Sequence, residues 1–289
     1  MFIDTHAHYN LPAYDQDRDE VFERILAVGI GKVICPAVSF DSNHQMMGCL
    51  DAYEDVSFAV GMHPKHVCRI RKDKRKAQAM PNLGRLKASY VDRLQTLERL
   101  ERELASIREL AFSGGRVVAV GETGLDYSLN PGELERTIQM AVFREQVQIA
   151  LQARLPLVLH VRGAHRDAVR ILQSYHTRLK GTVHCFCLGP NEAEDCLALG
   201  LMLGIGGKVT HTAQAGLREA VKIAPLDRIV LETDAPYVLP QGSTLSRNDS
   251  TAIPVIAREV AKLRGISVEE VERATTENAE RLFFADGRS

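Results

Sequence analysis

Six residues of this chain have the types that divalent-metal chemistry needs: His6, His8, Glu122, His160, His184 and Asp234. Each follows a short apolar run with the character of a β-strand. The segment Asp4-Thr5-His6-Ala7-His8 is the first case. In an extended strand residues i and i+2 point the same way, so His6 and His8 aim both imidazoles at one point. Glu122 ends the run Val-Val-Ala-Val and can bridge two cations, one carboxylate oxygen to each. His160 closes Leu157-Val158-Leu159, and His184 repeats that pattern in Val183-His184-Cys185. Asp234 follows Leu231-Glu232-Thr233 and could both hold a metal and take a proton from water. A lone histidine at such a place is more often a satisfied core residue, and a lone H-x-H is weak. The signal is that ligand-capable residues fall at the same relative place on five strands.

Three further residues are candidates for substrate contact. His63, in Gly61-Met62-His63-Pro64, follows the third strand and is expected to touch substrate rather than metal. Arg162 lies two residues beyond His160, and a guanidinium there suits a phosphate. Asp126 is read as a helix cap or as a residue behind the ligands. Cys185 and Cys187 tempt a thiolate reading, but soft C-x-C ligation does not match a His/carboxylate set.

The elements that must position these residues read as an α/β repeat. Eight runs are predicted strands: 2–5, 32–37, 56–61, 117–121, 157–161, 182–186, 201–205 and 228–233. Continuous Val/Ile-rich runs suit strands buried on both faces. Helical periodicity lies between them over 15–28, 133–153, 165–176, 191–199 and 212–223, with two closing helices over 252–263 and 268–284. Ser267 and Glu270 form a capping-box pattern, and Gly29 and Gly200 stand where helices end. This predicts a (β/α)8 TIM barrel over residues 1–289 as one domain, with the site at the C-terminal ends of the strands.

One stretch breaks the rhythm. Between His63 and Val117 lie 53 residues, too many for an ordinary loop and helix. The resulting insertion, at about 68–112, begins with eight basic residues and one acidic residue between Arg69 and Lys87. It continues as a helix with a stripe of Leu86, Tyr90, Leu94, Leu97, Leu100, Leu104, Ile107 and Leu110. The basic run offers a polyanion contact. The stripe offers either a partner face or, the simpler reading, a face packed on its own barrel.

The net charge of −1 and a pI near 6.8 exclude a generally cationic nucleic-acid binder, so any polyanion site is local. No apolar stretch approaches a membrane span and the N-terminus does not read as a signal peptide. The six cysteines (35, 49, 68, 185, 187, 196) form no C-x-x-C pair, and a reducing cytoplasm is the expectation.

Taken together, DTHAHY, GMHP, GETGLDY, LPLVLHVR, HCF, LETDAPYVLP and GISVEEVERATTENAERLF resemble the TatD family of metal-dependent deoxyribonucleases, among the amidohydrolase-like barrels. The resemblance spans nearly the whole chain. It implies one metal held by His6, His8, Glu122 and Asp234 and a second by Glu122, His160 and His184. It also implies Mg2+ or Mn2+ for activity, with Zn2+ as an alternative occupant, a monomer, and 3′→5′ exonuclease action on single-stranded or damaged DNA. Three features depart from the family's pattern. Cys187-Leu188-Gly189 follows HCF where Ser/Thr-Gly is usual. Arg247-Asn248-Asp249-Ser250 stands where Arg-Asn-Glu-Pro is usual. The basic insertion is long. Arg247 and the insertion are therefore expected to border the substrate cleft.

Two other functions fit the same residues. One is a hydrolase of small amides, esters or lactones, although Glu122 stands where many such enzymes carry a carboxylated lysine. The other is a nucleic-acid or partner-binding component of a multi-protein system, such as the anti-phage cassettes in which some relatives occur, with the insertion as the contact or self-association surface.

Overall fold

A strand made of uninterrupted Val, Ile, Leu and Ala can only be satisfied with both faces covered, and a barrel ringed by helices does this. The computed structural model describes residues 1–72, 85–175 and 179–285. Eight strands form one parallel sheet in the order of the sequence: β1 (Phe2–Asp4), β2 (Ile30–Pro36), β3 (Val56–Val60), β4 (Val117–Asp126), β5 (Leu157–Arg162), β6 (Gly181–Val183), β7 (Met202–Ile205) and β8 (Ile229–Leu231). The sheet closes on itself where β1 and β8 end. Thr5 N–H donates to Leu231 O at 3.0 Å, Asp234 N–H to His6 O at 2.8 Å, and His8 N–H to Ala235 O at 2.7 Å. The chain therefore has the (β/α)8 TIM-barrel fold.

Helices fill the connections: α1 (Arg18–Ala27), α2 (Phe40–Cys49), α3 (Pro64–Lys72), α4 (Arg85–Phe112), α5 (Glu133–Ala153), α6 (His165–Gln173), α7 (Pro190–Ala198), α8 (Ala215–Ile223), α9 (Ile253–Arg264) and α10 (Val268–Phe283). Ser267 caps α10 by accepting from Glu270 N–H. Gly29 and Gly200 both have positive φ, as a helix-ending residue requires. Residues of seven strands (Ile3, Ile34, Ala59, Val118, Ala119, Val158, Met202, Val230) pack with Ala279, Leu282 and Phe283 of α10. That helix plugs the N-terminal end of the barrel and leaves the opposite end for chemistry. No described helix is long and apolar enough to cross a membrane.

Two elements differ from expectation. The strand β4 runs five residues beyond Gly121, through Asp126. Its register with β5 shifts between Val120 and Thr123 and then resumes, Gly124 opposite His160 and Asp126 opposite Arg162. A Cβ at Gly124 would lie 2.1 Å from His160 O, so glycine here permits close strand pairing rather than marking a turn. The helix α2 carries no strong apolar stripe and escapes periodicity. It is defined by a capping box between Ser39 and Ser42, and Asn43 braces it by donating to Gly61 O and accepting from Gly61 N–H.

The insertion packs on the barrel in its described part. Leu100 and Ile107 of α4 are buried, Leu104 and Leu110 lie against the core, and Leu97 is exposed. Buried Glu103 of α4 ties it to α3 through His66 at 2.9 Å and also accepts from Arg99 at 2.9 Å. Lys74, Arg75 and Lys76 lie outside the described residues, as do the side chains of Lys72, Arg85, Leu86, Lys87, Tyr90 and Leu94.

Candidate metal centre

The pleat and the closure of the barrel bring all six sequence-nominated residues to one place. His6 and His8 leave the end of β1 with Nε2 atoms 3.2 Å apart, both buried. His8 Nδ1 lies 3.2 Å from Pro36 O and donates to it, which leaves Nε2 as the free lone pair. Asp234, in the left-handed region at φ 55°, brings Oδ1 to 3.6 Å from His8 Nε2 and 3.8 Å from His6 Nε2.

Glu122 sits in the middle. Its Oε2 is 3.8 Å from His6 Nε2 and 3.7 Å from His8 Nε2. Its Oε1 is 2.8 Å from His160 Nδ1 and 2.9 Å from His184 Nε2. One carboxylate thus turns one oxygen to each pair of imidazoles. Two groups follow, each with ligand atoms within 4.8 Å of one another: His6, His8 and Glu122, and Glu122, His160 and His184. Mixed imidazole and carboxylate donors suit borderline and hard divalent ions such as Zn2+, Mn2+ or Mg2+, so the residues present fit a metal pair.

Burial works against ionising Glu122, but the surrounding histidines hold its carboxyl well below the usual range. Burial and the neighbouring His184 push His6 well below the usual imidazole range. For His160 burial also opposes the proton, yet the bonds to Asp126 and Glu122 outweigh it and raise the ring to about 9.

Asp126 caps no helix: it stands behind His160, and with His63 and His160 it forms a further group of ligand-capable side chains. Its Oδ2 lies 2.9 Å from His160 Nε2, and its Oδ1 accepts from Ser128 N–H at 2.8 Å. It fixes the ring so that Nδ1 turns to Glu122. Lys65 Nζ of α3 lies 3.2 Å from the same Oδ2. His63 brings Nε2 to 3.4 Å from Glu122 Oε1 and its ring to 4.2 Å from that of His160. It stands against the cluster, closer to the ligand atoms than expected.

Arg162 is exposed at the end of β5 and has no carboxylate partner among the described residues. Arg247, expected to border the cleft, is engaged by other residues of the chain. Its guanidinium binds both carboxylate oxygens of Asp17 at 2.5 Å, donates to Ala13 O, and stacks 4.4 Å over the Tyr14 ring. A cation so engaged is a strut, and its neighbours act likewise. Asn248 Nδ2 donates to Thr233 O at 3.0 Å and Tyr237 O at 2.8 Å, and Asp249 Oδ2 accepts from Arg24 at 3.1 Å.

Three residues had no role in the sequence reading. Asp4 is fully buried and accepts from His6 N–H (3.2 Å), Thr233 N–H (3.1 Å), Thr233 Oγ1 (2.7 Å) and Ser250 Oγ (2.6 Å), so it locks both halves of the site together. Glu232 is fully buried beside His184. Lys208, in the turn after β7, neighbours Cys185, Cys187 and Arg162. Asp4 and Glu232 were visible as carboxylates beside nominated ligands. Lys208 carried no local signal, because only the pairing of β5, β6 and β7 sets it beside Arg162.

The family model of the TatD related DNases matches residues 3–284. The chain is 31% identical over 284 residues to the metal-dependent hydrolase YabD of Bacillus subtilis, covering 98% of this chain and 99% of that one. It is 34% identical over 280 residues to the 3′-5′ ssDNA/RNA exonuclease TatD of Cronobacter turicensis, covering 94% and 93%. The crystal structure of the TatD homologue YJJV from Escherichia coli superposes with a TM-score of 0.75 at 27% identity, over 98% of this chain and 97% of that one. The chain belongs to the TatD related DNase family.

Proposed function

We propose that this protein is a divalent-metal-dependent nuclease that removes nucleotides from the 3′ end of single-stranded DNA, damaged DNA included, or of RNA. The observation that carries the reading is the placement of Glu122, with one oxygen facing His6 and His8 and the other facing His160 and His184. Relatives at 31–34% identity carry the names metal-dependent hydrolase and 3′-5′ ssDNA/RNA exonuclease, which supports both the class and the substrate.

His6, His8, Glu122 and Asp234 would hold one cation and Glu122, His160 and His184 the other. Bound there, the cations supply Lewis-acid polarisation of a phosphodiester and acidification of the attacking water. The chain's own residues do the remainder. Asp234 accepts the water's proton on its carboxylate. His8 and His160 are held in their working tautomers by Pro36 O and Asp126. Arg162 and Lys208 present two cations without carboxylate partners among the described residues, and these bind phosphates of the strand. His63, packed on His160, faces the scissile phosphate and steadies its growing charge.

The test uses metal-stripped protein, 5′-labelled single-stranded DNA and RNA, and Mg2+ or Mn2+ added back. A ladder shortening from the 3′ end, dependent on metal and reduced at least a hundredfold in Asp234→Asn, is the expected result. No cleavage of either polymer under any metal would refute the nuclease reading, and a near-normal rate in Asp234→Asn would remove its assigned role.

A further inference from the structure

Beneath the cluster lie three buried polar atoms that lack a hydrogen-bond partner: His6 Nδ1, His184 Nδ1 and Glu232 Oε2. A ring nitrogen of His6, one of His184 and a carboxylate oxygen of Glu232 fall within 4.8 Å of one another. Unpaired buried polar atoms are costly singly, and three together point to a contact among themselves.

Glu232 has been given room for such a contact. The strand β7 and the turn after it read Met202-Leu203-Gly204-Ile205-Gly206. A Cβ at Gly204 would stand 2.3 Å from Glu232 Oε2, and one at Gly206 would meet its Cγ at 3.7 Å. The glycines leave a slot for the carboxylate under the imidazoles. Its Oε1 accepts from Cys185 N–H and lies 3.8 Å from His184 Nδ1. No lysine or arginine among the described residues pairs with it. A buried carboxylate needs a compensating donor.

The other ligand candidates show what is missing at His184. The far nitrogen of His8 donates to Pro36 O and that of His160 faces Asp126. The far nitrogen of His184 faces Glu232. We infer that Glu232 is a positioning residue of the metal centre: it takes the Nδ1–H of His184 and so keeps the Nε2 lone pair turned to Glu122. Through the rings of His6 and His184, stacked 3.9 Å apart, the same contact steadies His6. The inference rests on the metal-site reading above.

The variant E232Q separates this role from simple packing. The amide has the same shape, and its oxygen must take the Cys185 N–H. That oxygen holds the place of Oε1 but lacks the negative charge that favours a proton on His184 Nδ1, which lets the ring proton move to Nε2, the metal side. Metal-stripped wild type and E232Q are titrated with Mn2+ by calorimetry, and the protonated nitrogen of His184 is read in the metal-free proteins by proton–nitrogen correlation at alkaline pH. We expect E232Q to bind Mn2+ about 10–100-fold more weakly and the His184 proton to move from Nδ1 to Nε2. Unchanged affinity beside a wild type that binds Mn2+ overturns the inference and leaves the metal site standing. Weakened binding with the tautomer unmoved makes Glu232 a structural residue only and overturns it as well. A wild type that binds no Mn2+ overturns both readings. If E232Q does not fold, the wild-type tautomer decides: a proton on Nδ1 supports the inference and a proton on Nε2 refutes it.

Discussion

The most local test of how the barrel builds its site is the removal of Asp4. This side chain is wholly buried and accepts four hydrogen bonds, two from backbone amides and two from hydroxyls. In Asp4→Ala the hydroxyls can turn elsewhere: Thr233 Oγ1 already accepts from Ala235 N–H, and Ser250 Oγ lies 2.8 Å from Tyr9 OH. The amides of His6 and Thr233 cannot turn. A buried donor left unpaired costs about 1–3 kcal/mol, so two cost about 2–6 kcal/mol, and we take about 3 kcal/mol. For a chain of this length that corresponds to a fall in Tm of about 5 °C. Asp4→Asn discriminates the cause. Its carbonyl oxygen still serves both amides, and its NH2 faces hydroxyls that can accept, so it should lose about 1 kcal/mol. Circular-dichroism melts of the metal-free proteins at one pH measure both. An alanine variant within about 1 °C of wild type would refute the reasoning. Asparagine falling as far as alanine would place the effect in the charge rather than in the stranded amides.

Three other outcomes follow from the same geometry. Saturating Mn2+ at about 100 times its Kd should stabilise the metal-stripped protein by about 2.7 kcal/mol, and no rise in Tm would speak against a built site. For the metal-free protein, the raised pKa of His160 sets the sign of a pH dependence. A histidine favoured in its protonated form stabilises the fold fully below about 6.5, and that stability drains away as pH rises through about 9. The melt should fall across that window by an amount worth up to about 3 kcal/mol, and Asp126→Asn should flatten it; a flat wild-type profile would refute the assignment. Lys208→Ala should raise KM for single-stranded substrate with little change in kcat. It should also reduce the slope of log affinity against log salt by about 0.7, the release of one counterion, and an unchanged slope would remove Lys208 from the strand's path.

What could be read from the chain and what could not divide along a physical line. The strands were legible because both their faces are buried, so Val118, Ala119 and Val120 need no polar alternation. The grouping of His6, His8, Glu122, His160, His184 and Asp234 was legible because a parallel barrel carries the end of every strand to the same rim. Local pattern failed where a residue's purpose is set by a distant one. Gly124 shows no purpose in the sequence until His160 O of β5 lies 2.1 Å from where its Cβ would be, and Gly204 shows none until Glu232 fills the space beside it. Arg247 is expected at the cleft because its segment departs from the family's pattern, but Asp17 and Tyr14, some 230 residues earlier, engage it.

The same division explains how the site is held. The nominated ligands come from strand ends, which fix Cα positions but leave the imidazoles free to turn about their own bonds. The groups that set those rings are Pro36 O, Asp126 and Glu232, while Asp4 bonds the His6 amide to Thr233 beside Asp234. These partners come from β2, from the extension of β4, from the residue after β8 and from β1, so most of a ligand's orientation is supplied from strands other than its own. A metal centre needs lone pairs aimed within a few tenths of an ångström, and sheet geometry alone does not deliver that. The carboxylates behind the histidines are therefore as much a part of the centre as the histidines. Isosteric changes at Asp126 and Glu232 should weaken metal binding more than they lower the Tm of the metal-free protein.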